Sequence, residues 1–61
     1  MIKLTKINEE KFYLNAENIE TIEEKPHTLI KTFNERTYVV KESAEVVRKL
    51  VIEYKRSIHI G

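Results

Sequence analysis

The sequence predicts an α+β fold: a small antiparallel β-meander of four to five short strands, followed by one C-terminal amphipathic helix packed on one face. Up to about residue 42, apolar and polar side chains alternate in short runs, which is typical of strands with one buried face. After Glu42 the apolar spacing changes to three and four residues, which indicates a helix. Because 61 residues can build only one core, we expect a single domain over residues 1–61.

The predicted strands lie between about residues 2 and 42. Their inward faces are expected to carry Ile2 and Leu4, Phe12 and Leu14, Ile22, and Tyr38 and Val40. Each run ends in residues that favour turns, at positions 8–11, 15–18, 25–28 and 34–35. The chain therefore reads as strands joined by short connections.

Asparagine is the residue that we expect to shape the turns. The only glycine is the last residue, Gly61, so none is available inside the fold for a backbone with positive φ. Asparagine tolerates that conformation better than most residues. It occurs at or beside the predicted turns, as Asn8, Asn15, Asn18 and Asn34. The sequence therefore predicts positive φ at these asparagines, and a two-residue hairpin turn at Asn34-Glu35.

One helix is predicted over about residues 43–58. Ser43 is a suitable N-cap, and Glu45 lies favourably in the first turn. The stripe expected to cover the sheet consists of Val46, Val47, Leu50, Val51, Tyr54 and Ile58. Ile52 falls outside this stripe. It is expected on the solvent side, among Arg48, Lys49, Lys55 and Arg56.

The charge balance gives no strong attraction to nucleic acid or anionic membranes. There are 11 basic and 10 acidic residues, a formal net charge of +1. Residues 1–24 carry a net charge of −3 and residues 25–61 a net charge of +4, so the chain is acidic early and basic late. No apolar run could span a membrane, and the N-terminus lacks the apolar core of a signal peptide. We therefore expect a cytoplasmic protein.

The chain has no cysteine, so neither disulfides nor thiolate-bound zinc can stabilise it. Good packing or self-association must do so instead, which makes a homo-oligomer an expectation. Glu20, Glu23 and Glu24 form an acidic cluster, but calcium loops use Asp and Gly, and this chain has no Asp. We interpret the cluster as a solvated face and expect no metal.

No arrangement of residues predicts catalysis. His27 lies in a predicted turn and His59 near the C-terminus, and both are expected to be solvated. Ser43 and Ser57 have no base at nucleophile spacing. Without internal glycine, phosphate-binding loops and nucleophile elbows are excluded. We expect a protein that is not an enzyme and that binds no cofactor or small-molecule substrate.

Short motifs spread along the chain follow a recognisable order and spacing. They are MIKLTKIN at 1–8, FYLNA at 12–16, IETIE at 19–23, PHTLI at 26–30, YVVKES at 38–43 and IEYKR at 52–56. Together they resemble the FlbD family of small flagellar proteins, also called SwrD swarming motility proteins, over residues 1 to about 58. The most specific part is the block LNAxxIExIE at 14–23 combined with VKES at 40–43.

The chain departs from the family pattern at its turns. The family usually carries Asn-Gly at both hairpin turns, whereas here Glu9 follows Asn8 and Glu35 follows Asn34. The family also usually reads Pro-Asp-Thr at the third turn, where this chain has PHT at 26–28. These differences concern turn geometry rather than the fold.

The resemblance implies a cytoplasmic, non-enzymatic accessory of flagellar motility, linked in swarming bacteria to motor power and hence to the stator. It supplies no catalytic or cofactor residues. Its motif positions read as mainly structural. Leu14, Ile19, Ile22 and Val40 would belong to the core, Asn15 to a turn, and Lys41, Glu42 and Ser43 to a strand end and helix cap.

Two functions from different classes stay open at this point. The first is a protein-interaction module, self-associating and binding stator or switch proteins of the motor. Its surface would be an exposed strand edge or the outer helix face of Arg48, Ile52, Lys55 and Arg56. The second is a small nucleic-acid regulator, because five short strands before a helix are similar in outline to CsrA-type RNA-binding proteins and LytTR-type DNA-binding domains. The weak basic character of the chain disfavours it.

Overall fold

The computed structural model describes residues 1–58, with five strands followed by one helix. In chain order the elements are β1 (Ile2–Thr5), β2 (Lys11–Leu14), a short 3₁₀ turn (Ala16–Asn18), β3 (Ile19–Glu24), β4 (Thr28–Thr32), β5 (Thr37–Val40) and α1 (Ala44–Ile58). Both sheets are antiparallel, and α1 packs against β1 and β3. The predicted α+β fold is confirmed. The predictions for His59 and for the side chain of Ile58 lie outside the part that the structure describes.

The strands form a two-stranded sheet, β1-β2, and a three-stranded sheet, β3-β4-β5. A β-bridge between Lys6 and Val40 joins the two sheets, and beside it the Lys41 N–H donates to the Thr5 carbonyl at 2.8 Å. β5 therefore lies beside the end of β1. The strands follow one another in the order β2-β1-β5-β4-β3, with β2 and β3 at the outer edges.

Two hairpins of the fold are built alike, although their sequences hide it. In the first hairpin (residues 2–14) Ile2 pairs with Leu14, and in the second (residues 28–40) Thr28 pairs with Val40, so partners recur 26 positions later. The whole register repeats with the same offset. Over these 13 positions only an Asn and the Glu after it are identical, which is why no repeat is visible in the sequence.

The two hairpin turns share one geometry, and glutamate takes the position with positive φ in each. The N–H of Lys6 donates to the carbonyl of Glu10 at 2.7 Å, and the N–H of Thr32 donates to that of Arg36 at 2.9 Å. Glu9 has φ 77° and Glu35 has φ 64°. Each is the last residue of a three-residue loop, the position that needs a left-handed backbone.

The predicted positive φ at the asparagines is therefore wrong, as is the two-residue turn at Asn34-Glu35. The asparagines act through their side chains instead. Asn8 Oδ1 accepts from the Glu10 N–H at 3.1 Å, and Asn34 Oδ1 accepts from the Thr32 hydroxyl. Such bonds are the alternative that asparagine offers to a backbone turn.

The core lies between the sheets and α1. Its buried side chains are Ile2, Leu4, Leu14, Ala16, Ile30, Val40 and Val47, and Phe12, Ile19, Ile22, Tyr38, Leu50, Val51 and Tyr54 pack around them. Phe12 and Tyr38, which occupy equivalent positions in the two hairpins, stack with ring centroids 5.3 Å apart. Equivalent residues of the two hairpins thus contact each other at the margin of the core.

The helix stripe differs from the prediction at one residue. Val46 is 43% exposed, whereas Val47 is fully buried. Successive helical residues are separated by about 100°, so Val46 lies outside the arc defined by Val47, Leu50, Val51 and Tyr54. The placement of Val46 in the buried stripe is wrong for this reason.

Both the local sequence and a distant strand satisfy the N-terminus of α1. Ser43 Oγ accepts from the Val46 N–H at 3.2 Å, which is the N-cap bond expected of this residue. The Glu24 carboxylate at the end of β3 accepts from the Ala44 N–H at 3.1 Å. A carboxylate is favourable at this end of a helix, and here it ties α1 to the sheet.

Candidate interaction surfaces

Glu42 fastens the first hairpin to the segment that leads into α1. Its Oε1 accepts from the Thr5 N–H at 3.0 Å, and its Oε2 accepts from the Thr5 hydroxyl at 2.8 Å. The Lys41 N–H donates to the Thr5 carbonyl. The N–H and the carbonyl of Thr5 that point away from β2 are therefore both hydrogen-bonded. The Glu42 carboxylate accepts the bond that a neighbouring strand would otherwise accept.

The electrostatics of this junction follow from its hydrogen bonds. Burial acts to raise the pKa of Glu42, but the bonds from the Thr5 N–H and hydroxyl outweigh it and hold the pKa below its usual value. Lys41 pairs with Glu9 from the first hairpin turn, and this contact lowers the pKa of Glu9. Ionised carboxylates on two sides thus hold β1 and its turn against residues 41–42.

The other family-motif positions also make contacts inside the fold. Asn15 Oδ1 accepts from the Glu17 N–H at 3.0 Å and caps the 3₁₀ turn. Val40 is buried, and Ile19 and Ile22 are half-buried against the core. These motif positions therefore contribute to a cap, to the core and to its margin.

The outer face of α1, which we define as Arg48, Ile52, Lys55 and Arg56, is a coherent exposed surface. All four side chains are exposed, Ile52 by 42%. Helical geometry places them within about 100° of one another around α1. Within residues 1–58 neither arginine nor Lys55 has an ion-pair partner, whereas Lys49 lies 3.9 Å from Glu45. The structure thus brings together one apolar side chain and three cations.

Other predicted polar features stay dispersed. His27 is exposed in the turn between β3 and β4, and Glu20 and Glu23 are exposed on β3. No group of three or more potential metal ligands converges within residues 1–58. Glu24, the third member of the acidic cluster, contacts the helix terminus instead.

Ile7 and Phe33 are exposed apolar residues that were not predicted to form a surface. They occupy equivalent positions at the tips of the two hairpin turns and are 52% and 64% exposed. Open clefts of about 370 and 470 Å³ lie on either side of Ile7. The sequence does carry a signal for this equivalence, because an apolar residue followed by Asn-Glu occurs in both turns.

The tyrosines do not form one surface. Tyr38 and Tyr54 are half-buried against the core, whereas Tyr13 is 63% exposed on β2, with Lys3 Nζ 6.0 Å from its ring centroid. Tyr13 and Lys3 therefore belong to the solvent face of the first hairpin.

No helix within residues 1–58 is long and apolar enough to cross a lipid bilayer. No curated protein and no solved structure matches the chain significantly. A family model does match, and it covers residues 1–59, nearly the whole chain. That family is described as FlbD, flagellar and swarming motility proteins. The motifs at both chain ends and the hairpins between them all lie in the matched region, so this chain belongs to the FlbD family of flagellar and swarming motility proteins.

Proposed function

We propose that this motility-associated protein acts without catalysis, as a cytoplasmic accessory of the SwrD type that supports swarming and motor power by binding another protein. The FlbD membership supports the role in motility. The binding role draws on the placement of the polar residues: Glu24, Glu42 and Asn15 are engaged in caps and strand junctions. The outer face of α1 is then the best candidate for contact with a partner.

One observation carries this proposal, the exposed Ile52 surrounded by Arg48, Lys55 and Arg56. Binding hot spots commonly combine an apolar anchor with arginine, with polar groups at the rim. These three cations form no ion pair within the described part of the chain, which favours a partner surface that is acidic around a small apolar recess. In a flagellar motor, a cytoplasmic segment of a stator or switch protein is the partner class that we propose.

The decisive variant is Ile52→Glu, because it replaces the apolar side chain of the outer face with an acidic one at an exposed position of α1. Arg48 precedes Ile52 by four residues and Arg56 follows it by four, so a glutamate there gains favourable helical ion pairs. We expect an unchanged circular-dichroism melt, loss of swarming and loss of partner capture.

Val46→Glu is the matched control. Val46 is 43% exposed, nearly the same as Ile52, but it lies on the opposite flank of α1. We expect this variant to keep both folding and motility. Equal behaviour of the two variants in the swarming assay would contradict the outer face as the binding surface.

Crosslinking from flagellated cells identifies the partner. We expect stator or switch proteins to be captured by the parent protein and by Val46→Glu, and not by Ile52→Glu. Steep salt-dependent binding of RNA or DNA, abolished by Ile52→Glu, would instead support the nucleic-acid regulator.

A further inference from the structure

We propose that β2 is the contact for a second copy of this chain, so that two first hairpins join edge to edge about a twofold axis at Tyr13. This inference goes beyond partner binding by α1 and does not depend on it. It rests on the free backbone edge of β2, on features of β1 and β3 that limit edge pairing there, and on the self-complementary residues along β2.

The hydrogen-bond alternation identifies which backbone groups of β2 are free. The Lys6 N–H donates to the Glu10 carbonyl at 2.7 Å, so Leu4-Phe12 and Ile2-Leu14 are the next hydrogen-bonded pairs of the ladder. The N–H and carbonyl groups of Lys11 and Tyr13 therefore point away from β1. Within residues 1–58 no side chain or loop hydrogen-bonds to them.

The outward edges of β1 and β3 each carry a feature that limits pairing with a second copy. Glu42 and Lys41 bond the outward groups of Thr5 on β1. The pairing of β3 shifts register between Ile19 and Thr21, and the strand carries three exposed glutamates, Glu20, Glu23 and Glu24. Bulges and charges are devices that prevent edge pairing. β2 keeps a regular register and has Lys11 as its single charged residue.

The residues of β2 suit a twofold arrangement in one register. With Tyr13 opposite Tyr13 of the second copy, their outward backbone groups exchange both bonds of a hydrogen-bonded pair. Phe12 then lies opposite Leu14 of the second copy, and Lys11 opposite Asn15. A register centred on Phe12 would set the Glu10 carboxylate against Leu14, an apolar residue buried in the core.

This register extends both faces of the sheet. On the inner face, the row Leu4-Phe12 continues into Leu14 and Ile2 of the second copy, so apolar residues contact apolar residues. On the outer face the two Tyr13 rings become cross-strand neighbours, each flanked by Lys3. Because the shared edge is short, we expect a weak, reversible dimer whose population rises with protein concentration.

Tyr13→Pro tests the proposal on the full chain. Proline removes the outward N–H of residue 13 without removing a bond to β1, and edge strands tolerate proline in that orientation. Tyr13→Thr is the control that loses the ring and keeps the N–H. In sedimentation velocity over a concentration series, we expect a monomer–dimer equilibrium for the parent protein and for Tyr13→Thr. For Tyr13→Pro we expect a dissociation constant raised at least tenfold.

A monomeric parent protein at all concentrations, or a Tyr13→Pro variant that dimerises as tightly as the parent, would overturn the proposal. Open-ended growth with concentration would also overturn it, and would favour pairing of β2 with β3 of the next copy. Hydrogen exchange on the parent protein gives a readout that does not require the proline variant to fold. We expect the amides of Lys11 and Tyr13 to exchange at least tenfold more slowly in the dimer; equal rates on dilution would contradict the interface.

Discussion

The two hairpins have the same register and the same turn geometry, yet their surroundings differ. β4 and β5 are covered on their outer sides by β3 and, at one end, by β1. Within residues 1–58, β2 of the first hairpin has no strand neighbour other than β1. Their outward faces differ accordingly. Leu29 and Val39 are half-buried, while the equivalent residues Lys3 and Tyr13 are exposed. The two hairpins therefore share register and turn geometry, whereas the neighbours of each hairpin in the sheet decide whether its outward side chains are apolar or polar.

The largest expected change in stability comes from truncating equivalent core side chains in the two hairpins. Leu4 and Ile30 hold equivalent positions and are both fully buried. We expect Leu4→Ala and Ile30→Ala each to lower the free energy of unfolding by about 3 kcal/mol, because each leaves a cavity in the shared core. Urea unfolding followed by circular dichroism measures this loss.

Ile30→Val is the milder control and should cost about 1 kcal/mol. Comparable losses for the two alanine variants, each with a single unfolding transition, are the expected result for one core shared by both hairpins. A loss below about 1 kcal/mol in one of them would show that the hairpins stabilise the protein unequally.

The second test concerns the carboxylate that stands in for a strand beside β1. In the second hairpin the residue equivalent to Thr5 is Lys31, which pairs with Thr21 of β3. We expect Glu42→Gln to lower the free energy of unfolding at pH 7 by about 1 kcal/mol, because hydrogen bonds to a charged acceptor are replaced by bonds to a neutral amide at a partly exposed site.

The pH dependence of stability tests whether the charge of Glu42 is the source of this loss. The folded-state pKa of Glu42 lies below its usual value, so its contribution is present above the unfolded pKa of about 4.3 and disappears as the pH falls through the folded pKa. Parent protein and Glu42→Gln should therefore converge in acid. Glu53→Gln, an exposed change on α1, should track the parent throughout; a difference for Glu42→Gln that persists in acid would contradict the charge as its source.

The smallest expected effect lies in the two turns. Glu35→Gly should raise the free energy of unfolding by about 0.5–1 kcal/mol, because glycine accepts positive φ without the steric cost of a Cβ. Glu9→Gly should stabilise less, since it also removes the contact with Lys41. Thermal unfolding resolves the difference, as about 1 kcal/mol shifts Tm by several degrees in a domain of this size.

Asn34→Gly distinguishes the two residues of the turn. Asn34 bonds Thr32 and Asn18 through its side chain and has no positive φ, so this variant should be less stable than the parent. Stabilisation by Asn34→Gly instead of Glu35→Gly would restore the assignment of positive φ to asparagine.

Much of the local structure could be predicted from neighbouring residues. The change of apolar period after Glu42 located α1, and the Ser43 cap bond forms at the start of the helix. The outer face of α1 could also be predicted from the sequence, because its four residues are related by helical spacing alone. Val46 was misplaced because it borders the stripe, and only packing decides such a position.

The sequence by itself determined where strands, turns and helix lie, since periodicity, capping and turn chemistry act over a few residues. The tertiary structure decided how these elements meet. Several short strands with one apolar face could pair in more than one order, and alternation alone does not choose among them. The placement of β5 beside β1, the role of Glu42 and the repeated hairpin arise from contacts between distant residues, such as Thr5 with Glu42 and Phe12 with Tyr38. The exposed edge of β2 follows from the same contacts, because a strand becomes an edge only when every other strand has found its neighbours.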